Sequence, residues 1–449
     1  APKFPQFYMF DAIFYFYLKT NNQKYLTPVE KLLSNISSKG VYDQLEGGIA
    51  RYAVDEKWVI PHFEKMLYDN IQYISLLTKF YQRTKKEYFK KKLIQTINFI
   101  NKEFKNEENL YGSAYDADSE GIEGKYYVWS YEELKKLLEN DFVLFEKKYE
   151  ISKTGNFEGK NILVESKNEL SEEEQKKIAK IEDKLIQERK NRVKPFFDDK
   201  SQTDLNAFIL DTLISSSIVL GDNNLKDETI KTFEILNNKL SNKIYHCYDS
   251  SEIDAFLEDY VYYAMLLVTL YEVDGDENSL QKAITIMKEI WEIFYNKDTQ
   301  LLQKNKIKDN DLFVSPIDLN DSNIPNGNSV YLNLCNKIYT ITNDKFWFDK
   351  VEILKKSFHQ VLNSFFSQMF SFIKTLDLCE NSISFTFFGN KDSVKDIKVN
   401  LQKNYLGRAT FVYKNNDENE GSVVICKNQT CSEKLKDLSE VKNYLENRI

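Results

Sequence analysis

The sequence predicts a mainly α protein, an (α/α)6 toroid with a small C-terminal α/β appendage. Three observations predict it. Glycine and proline number 14 and 7 among 449 residues, below the usual shares of about 7% and 5%, so the chain has few places to turn sharply. Apolar residues recur at helical spacing in about twelve stretches. Within pairs of stretches, one member is apolar all round (Phe256 to Tyr271) and the next is amphipathic (Leu280 to Phe294). An all-round apolar helix has to be buried on both sides, whereas an amphipathic one covers it from outside.

In chain order the helical stretches are 5–19, 27–38, 62–83, 85–105, 131–148, 172–190, 203–220, 226–241, 253–273, 277–296, 328–341 and 345–370. Links as short as Thr84-Lys85, Gly221-Asp222-Asn223, Asp274-Gly275-Asp276 and Thr342-Asn343 join them into antiparallel hairpins. A helical solenoid would pair helices in the same way but would carry a repeat in sequence, and none is visible. The expected toroid spans 1–381, interrupted by long loops at 39–60 and 106–130, and loops of that length inside a compact domain are usually functional. From Ser382 the pattern changes. Strands are expected at 384–388, 409–413 and 422–426 and helices at 394–404 and 434–446, a small α/β segment over 382–449. The Lys/Glu-rich run from Ser171 to Arg192 reads as a solvated helix face.

Composition removes several functions. A net charge of −8 argues against nucleic acid as a partner, since phosphate contacts need a basic footprint. The longest apolar run, Phe7 to Leu18, is broken by Asp11 and falls short of the ~18 residues of a span, so no membrane is expected. No phosphate loop or dinucleotide fingerprint occurs, and no cofactor is called for. His62, His246 and His359 are the 3 histidines, too few for a three-histidine zinc site unless distant positions converge, and no metal site is assigned. Cys426 and Cys431 read as two reduced structural thiols at a strand end. With no basic region leading into a cleavage site, the expected location is cytoplasmic. The chain begins Ala1-Pro2-Lys3 and reads as a processed product or fragment.

Two segments carry candidate chemistry. In the first, Gly47-Gly48 permits an unusual tight backbone and Pro61 suits a first helical position. His62 and Glu64 then fall in a first turn, with His62, Met66 and Asp69 on one face. A neutral His and a carboxylate at a cleft mouth would serve as base and acid. The plain alternative is that Glu64 caps the helix and Arg51 pairs with Asp55. In the second, Asp116 and Asp118 alternate onto one face of an extended segment, clustering carboxylates as an acid–base pair requires. Tyr126, Tyr127 and Trp129 would present ring faces to a sugar. Glu120 and Gly121 make the segment imitate the start of a calcium loop, but Tyr127 stands where the closing Glu belongs. A third group, Asp198-Asp199-Lys200, Asn206, Glu258-Asp259 and Asn328, sits at expected helix starts, where each residue alone would be a cap.

Taken together these runs resemble a known family. They are Ala1-Pro-Lys-Phe-Pro5, Gly47-Gly48 to Asp69 with Pro-His-Phe-Glu-Lys-Met-Leu-Tyr-Asp, Asp116-Ala-Asp-Ser-Glu-Gly121, Tyr127-Val-Trp129, Asp198-Asp-Lys200, Phe256-Leu-Glu-Asp-Tyr260, Gly327-Asn-Ser329 and Cys426 to Cys431. The family joins a thioredoxin-like domain to a six-hairpin, glycosidase-like toroid, and its animal members are called spermatogenesis-associated proteins. The resemblance implies that this chain is the toroid portion, with the thioredoxin-like domain upstream and missing. Its toroid is similar to those of N-acylglucosamine 2-epimerases and unsaturated-glucuronide hydrolases. The sequence departs from the family's pattern at Gln44, Glu46 and Ala50, where a histidine and a third glycine are usual, and at Asp204-Leu205, where a Ser-Trp pair is usual. His62 is left as the expected site imidazole unless His246 reaches the cleft.

The expected function is binding or processing of a carbohydrate or glycoconjugate by carboxylate acid/base chemistry, hydrolase-like or epimerase-like. Glu64 and Asp118 are the expected acid and base, assisted by His62. Arg51, Tyr52, Trp58, Asp69, Asp116, Glu120, Trp129, Asp199, Lys200, Asn206, Glu258, Asp259 and Asn328 are the expected substrate contacts. The alternative is a non-catalytic binding or scaffold module of a thioredoxin-domain-containing redox protein.

Overall fold

A computed structural model describes residues 2–247, 253–306, 316–389, 392–414, 421–428 and 430–448. The chain divides into two compact units, Ala1–Lys200 and Ser201–Ile449.

The first unit contains α1 (Phe7–Thr20), α2 (Gln23–Ser38), α3 (Leu67–Thr84), α4 (Glu87–Glu103), α5 (Tyr131–Leu138), α6 (Phe142–Lys148) and α7 (Glu172–Arg189). α1 packs on α2, α3 on α4, and α6 on α7. α3 is the inner helix: almost every residue from Leu67 to Gln82 is buried, while α4 buries one stripe through Phe89, Leu93, Ile97 and Ile100. Sequence expects one helix over 131–148. The chain instead breaks at Glu139, in a left-handed backbone (φ 49°), and resumes as α6.

Three two-residue strands, β1 (Lys65–Met66), β2 (Ala114–Tyr115) and, later in the chain, β5 (Phe197–Asp198), form an antiparallel sheet in the order β1-β2-β5. This small sheet gathers the two long loops and the Asp198–Lys200 segment at one place. Between them β3 (Asp118–Ser119) and β4 (Ile122–Glu123) make a hairpin that faces Asp118 with Glu123. Because Lys65 and Met66 are strand residues, α3 starts at Leu67. His62 and Glu64 lie before the helix, and Pro61 is not its first residue.

The second unit holds α8 (Thr203–Leu220), α9 (Asn223–Lys239), α10 (Leu257–Asp274), α11 (Glu277–Phe294), α12 (Gly327–Thr342) and α13 (Lys345–Phe365). They pair as α8 on α9, α10 on α11 and α12 on α13, with α10 also against α8 and α12. Gly221, Gly275 and Asn343 end α8, α10 and α12 in left-handed caps, the usual device for stopping a helix sharply. Thr203–Leu220 is long and apolar enough to cross a membrane, which the sequence reading overlooks, yet 78% of it is buried in the fold. Short hairpins β6 (Tyr245–Cys247) with β7 (Ile253–Asp254), and β8 (Tyr295–Asn296) with β9 (Leu301–Leu302), precede α10 and α12.

The same unit contains the C-terminal segment: α14 (Phe370–Glu380), β10 (Ile383–Phe388), α15 (Lys395–Tyr405), β11 (Thr410–Lys414), β12 (Ser422–Lys427), β13 (Thr430–Cys431) and α16 (Leu438–Arg448). Its sheet runs β11-β10-β12-β13, parallel between β10 and β11 and antiparallel elsewhere. β12 and β13 set Cys426 directly opposite Cys431, and the two form a disulfide. The expectation of two free thiols is corrected: the pairing of Lys427 with Thr430 returns the second cysteine to the first.

Candidate functional site

The first unit builds its candidate site around the 41–69 loop. Gly47 and Gly48 take φ of 94° and 78°, and a Cβ on Gly48 would sit 2.4 Å from the Phe99 ring. The loop therefore hugs α4 as only glycines allow. Asn70 pins it, accepting from the Ile49 amide at 2.9 Å and donating to the Ile49 carbonyl at 3.2 Å. From there the chain doubles back on itself. The Arg51 amide donates to the Glu64 carbonyl (2.9 Å) and the His62 amide to the Tyr52 carbonyl (3.0 Å).

That pairing aligns side chains as well. Arg51 Nη1 lies 3.3 Å from Glu64 Oε2, so Glu64 neither caps the helix nor leaves Arg51 to Asp55. Asp55 instead accepts from the Lys57, Val59 and Ile60 amides. The Arg51 guanidinium sits over the Tyr68 ring at 5.8 Å. Tyr52 stacks on His62 at 4.8 Å, and His62 Nδ1 donates to Glu123 Oε1 at 2.8 Å. Asp69, in the first turn of α3, is 8% exposed, and its Oδ2 has no hydrogen-bond partner. Burial raises its pKa well above the carboxylate range; Arg51 opposes the shift and Glu64 adds to it. Here a carboxyl whose protonated form burial favours stands beside an ion-paired carboxylate, an arrangement that separates acid from base.

Other expected site residues are placed differently. Asp118 and Asp116 are exposed on the hairpin, Asp116 accepting from the Ala117 amide. Glu120 pairs with Lys125 at 2.7 Å. Asp199 and Lys200 are exposed beside β5, and Lys200 lies 3.5 Å from Asp198. Trp58 is buried under the Lys3 ammonium, 4.5 Å from its ring centre. Trp129 is 0% exposed, within a core cluster with Leu45, Leu134 and Phe145 and capped by Arg192 at 3.8 Å. Its ring is core and offers no open face to a sugar. Tyr126 is likewise buried, and Tyr127 is half-buried, stacked on Phe63.

Sequence reasoning missed a charged cluster beneath this loop. Asp43 Oδ2 takes Lys65 Nζ at 3.0 Å and Arg189 Nη1 at 2.8 Å, with Glu46 3.3 Å from the same guanidinium. Arg189 falls within the 171–192 run read as a solvated face and ends α7, yet it is 1% exposed; Ile178, Ile181 and Leu185 of that run are buried too. A cavity of about 30 Å³ lies beside Asp43, Lys65, Tyr127 and Arg189, room for a water or two but far below the several hundred Å³ of a ligand pocket. These residues frame the loop.

The second unit has its own polar centre. Asp259, fully buried in the first turn of α10, accepts from the Phe256 amide (2.8 Å) and the Asp204 amide (3.0 Å). His246 Nδ1 lies 3.0 and 3.1 Å from its two oxygens. Burial and the neighbouring Asp259 charge push Asp204 up to about 7. Burial also raises Glu258. Asn206 is buried, donating to the Gln202 carbonyl at 2.9 Å. Asn328 is buried and clamps β9, accepting from the Leu302 amide (2.9 Å) and donating to the Leu302 carbonyl (2.8 Å). Asn206 and Asn328 thus bond to backbone. The sequence marked His246 only as a second imidazole that could reach a cleft, and Asp204 only as a departure from the family's Ser-Trp pair; nothing local to either joins them to Asp259.

Comparison with known proteins follows the same lines. No protein-family model matches the chain. An uncharacterised protein of Caenorhabditis elegans is 23% identical over 98% of this chain and 70% of its own length. Spermatogenesis-associated protein 20 of Mus musculus is 23% identical over 99% of this chain and 66% of its own; the human protein is 22% identical with the same coverage. The chain thus spans about two thirds of the length of these curated relatives. Among solved structures, cellobiose 2-epimerase from Bacillus thermoamylovorans superposes with a TM-score of 0.50 at 14% identity, over 80% of this chain and 76% of that one. The fold is accordingly of the (α/α)6 toroid class, with a small C-terminal sheet. By sequence the chain is a distant homologue, across nearly all of its own length, of spermatogenesis-associated protein 20.

Proposed function

We propose that the chain processes a carbohydrate or glycoconjugate by carboxylate acid/base chemistry. Asp69 holds the transferable proton, and Glu64, oriented by Arg51, is its ionised partner. One observation carries this reading: Asp69 is a buried carboxyl, raised by burial, with an oxygen that no protein group satisfies, next to the Arg51–Glu64 ion pair. Perturbed carboxyls of this kind concentrate at catalytic sites. The toroid fold shared with a sugar epimerase supports the substrate class. Tyr52, His62 and Asp118 would meet the substrate at the exposed rim.

A panel of free sugars and glycans, screened for turnover, tests the proposal. Asp69→Asn and Glu64→Gln are expected to fold normally and to lose turnover by roughly 10²–10⁴-fold, the usual contribution of general acid–base groups. Wild-type turnover in Asp69→Asn would overturn the assignment. A second reading is favoured by the relatives' extra third of length: a non-catalytic module serving a thioredoxin-like domain elsewhere in a longer protein. Sugar binding without turnover in any form of the chain would support it.

A further inference from the structure

The centre formed by α8, β6 and α10 has the makings of a metal site. Asp204 lies in the first turn of α8, Asp259 in the first turn of α10, and His246 on β6. β6 is tied to the start of α8 by Thr203 Oγ1, which donates to the Tyr245 carbonyl at 2.6 Å. These bonds hold one nitrogen and two carboxylate groups together, with their nearest donor atoms all within 4.8 Å of one another. The imidazole is 18% exposed, which leaves an approach from solvent.

Charge makes the case stronger. Asp204 and Asp259 are buried, and neither forms an ion pair with lysine or arginine among the described residues. Among the described residues His246 is the one basic side chain paired with either, and it touches Asp259. Glu258 follows the same pattern: it is adjacent in sequence, its charge acts on both Asp204 and His246, and its buried Oε2 has no partner. Buried carboxylates are normally paired or bound to a metal. Lys304 faces Glu258, but the two buried carboxylates Asp204 and Asp259 against one imidazole leave a deficit that one divalent cation would fill.

The surroundings also fit a ligating histidine. His246 Nε2 lies 3.3 Å from the Gln202 side-chain amide. With Nδ1 on a metal, Nε2 carries the ring proton and needs an acceptor, and Gln202 supplies its carbonyl oxygen by turning the amide over.

We propose that Asp204, His246 and Asp259 bind one divalent transition ion, zinc or manganese. The mixed imidazole and carboxylate donors suit these ions better than calcium or magnesium, which prefer oxygen alone, or copper(I), which prefers sulfur. The ion displaces the proton shared between His246 and Asp259, so uptake releases acid. It ties the starts of two hairpins together whether or not the chain turns over a sugar.

The test is calorimetric titration of the whole, chelator-stripped chain with zinc and, separately, with manganese. The expected result is one equivalent bound by at least one of the two ions, with proton release. Asp204→Asn and His246→Gln are each expected to weaken it at least tenfold, whereas His359→Gln, on the exposed face of α13, leaves it unchanged. Should either ligand variant misfold, Gln202→Leu is read in its place, with a loss of about 10–100-fold expected for a group that supports a ligand. Uptake of neither ion, or wild-type affinity in the ligand variants and in Gln202→Leu, overturns the proposal.

Discussion

Arg189 grips Asp43 across 146 residues of chain, its Nη1 lying 2.8 Å from one carboxylate oxygen and 3.0 Å from the other. Lys65 takes the same carboxylate from the other side. Burial alone would push the Asp43 carboxyl up, but the two cations together hold it well below the usual carboxylate range. The 41–48 loop is therefore fastened to the end of α7 and to β1 by charges sealed from water.

Removing one member should be costly. Arg189→Met leaves Asp43 with a single cation and Glu46 with none buried beside it. A loss of about 3–5 kcal/mol is expected in urea unfolding; a loss under about 1 kcal/mol would mean that water has replaced the guanidinium. Because Asp43 is depressed, its stabilisation is present above the ordinary carboxylate range. It drains away as pH falls toward the depressed value, so the Arg189→Met chain should show a shallower acid limb than wild type.

Asp69 should behave in the opposite sense. Its raised pKa means that the folded state keeps a proton the unfolded state has lost. Its contribution is complete below the ordinary aspartate value and declines as pH rises toward the folded one. The difference in unfolding free energy between wild type and Asp69→Asn, followed against pH, should therefore move in favour of the variant as pH rises above that ordinary value. A flat difference would contradict the burial on which the acid role depends.

Gly48→Ala tests the backbone of the site loop. The added methyl meets the Phe99 ring at 2.4 Å in a left-handed conformation, so a loss well above the roughly 1 kcal/mol of conformational strain alone is expected. Chemical denaturation measures it, and sugar turnover, if present, should fall with it because Arg51 follows three residues later.

Reduction should loosen the end of the C-terminal sheet. The Cys426–Cys431 loop is short, and replacing both cysteines with serine is expected to cost at most about 2 kcal/mol by loop entropy. Thiol labelling of the native chain before and after reductant should report two additional reactive cysteines; equal labelling would mean the pair is not bonded.

Much of this was legible in the sequence, for definite reasons. Helices such as α8, α10 and α11 were legible because α8 and α10 repeat apolar side chains on every face and α11 repeats them along one stripe. Arg51, Glu64 and Asp69 could be singled out as a group because they lie within one short segment. What escaped notice depended on residues distant in sequence. Arg189 ends a helix whose other charges face water, and its inward turn is dictated by Asp43, which no local pattern reveals. His62 and Glu64 were placed in a helix because Pro61 imitates a helix start, whereas pairing of Lys65 with Tyr115 makes Lys65 and Met66 a strand and delays the helix to Leu67. Trp129 looked like a sugar platform because an aromatic beside acids looks the same in sequence whether it faces water or a core.

The C-terminal segment bears on how the second unit comes to exist at all. The end of α10 is completed by residues made much later. Glu272, 1% exposed, pairs with Lys337 at 2.6 Å and accepts from the Phe411 amide. Its carbonyl accepts from Gln402 at 2.9 Å and from the Tyr413 hydroxyl at 2.7 Å. On the ribosome, helix α10 emerges with these groups unanswered; Lys337 follows 65 residues later, and the remaining partners are complete only after some 140. The unit is thus poorly suited to folding hairpin by hairpin during translation. Its last step awaits the tail, and a chain terminated before the tail would leave the Glu272 carboxylate with Lys337 but without the sheet that covers it.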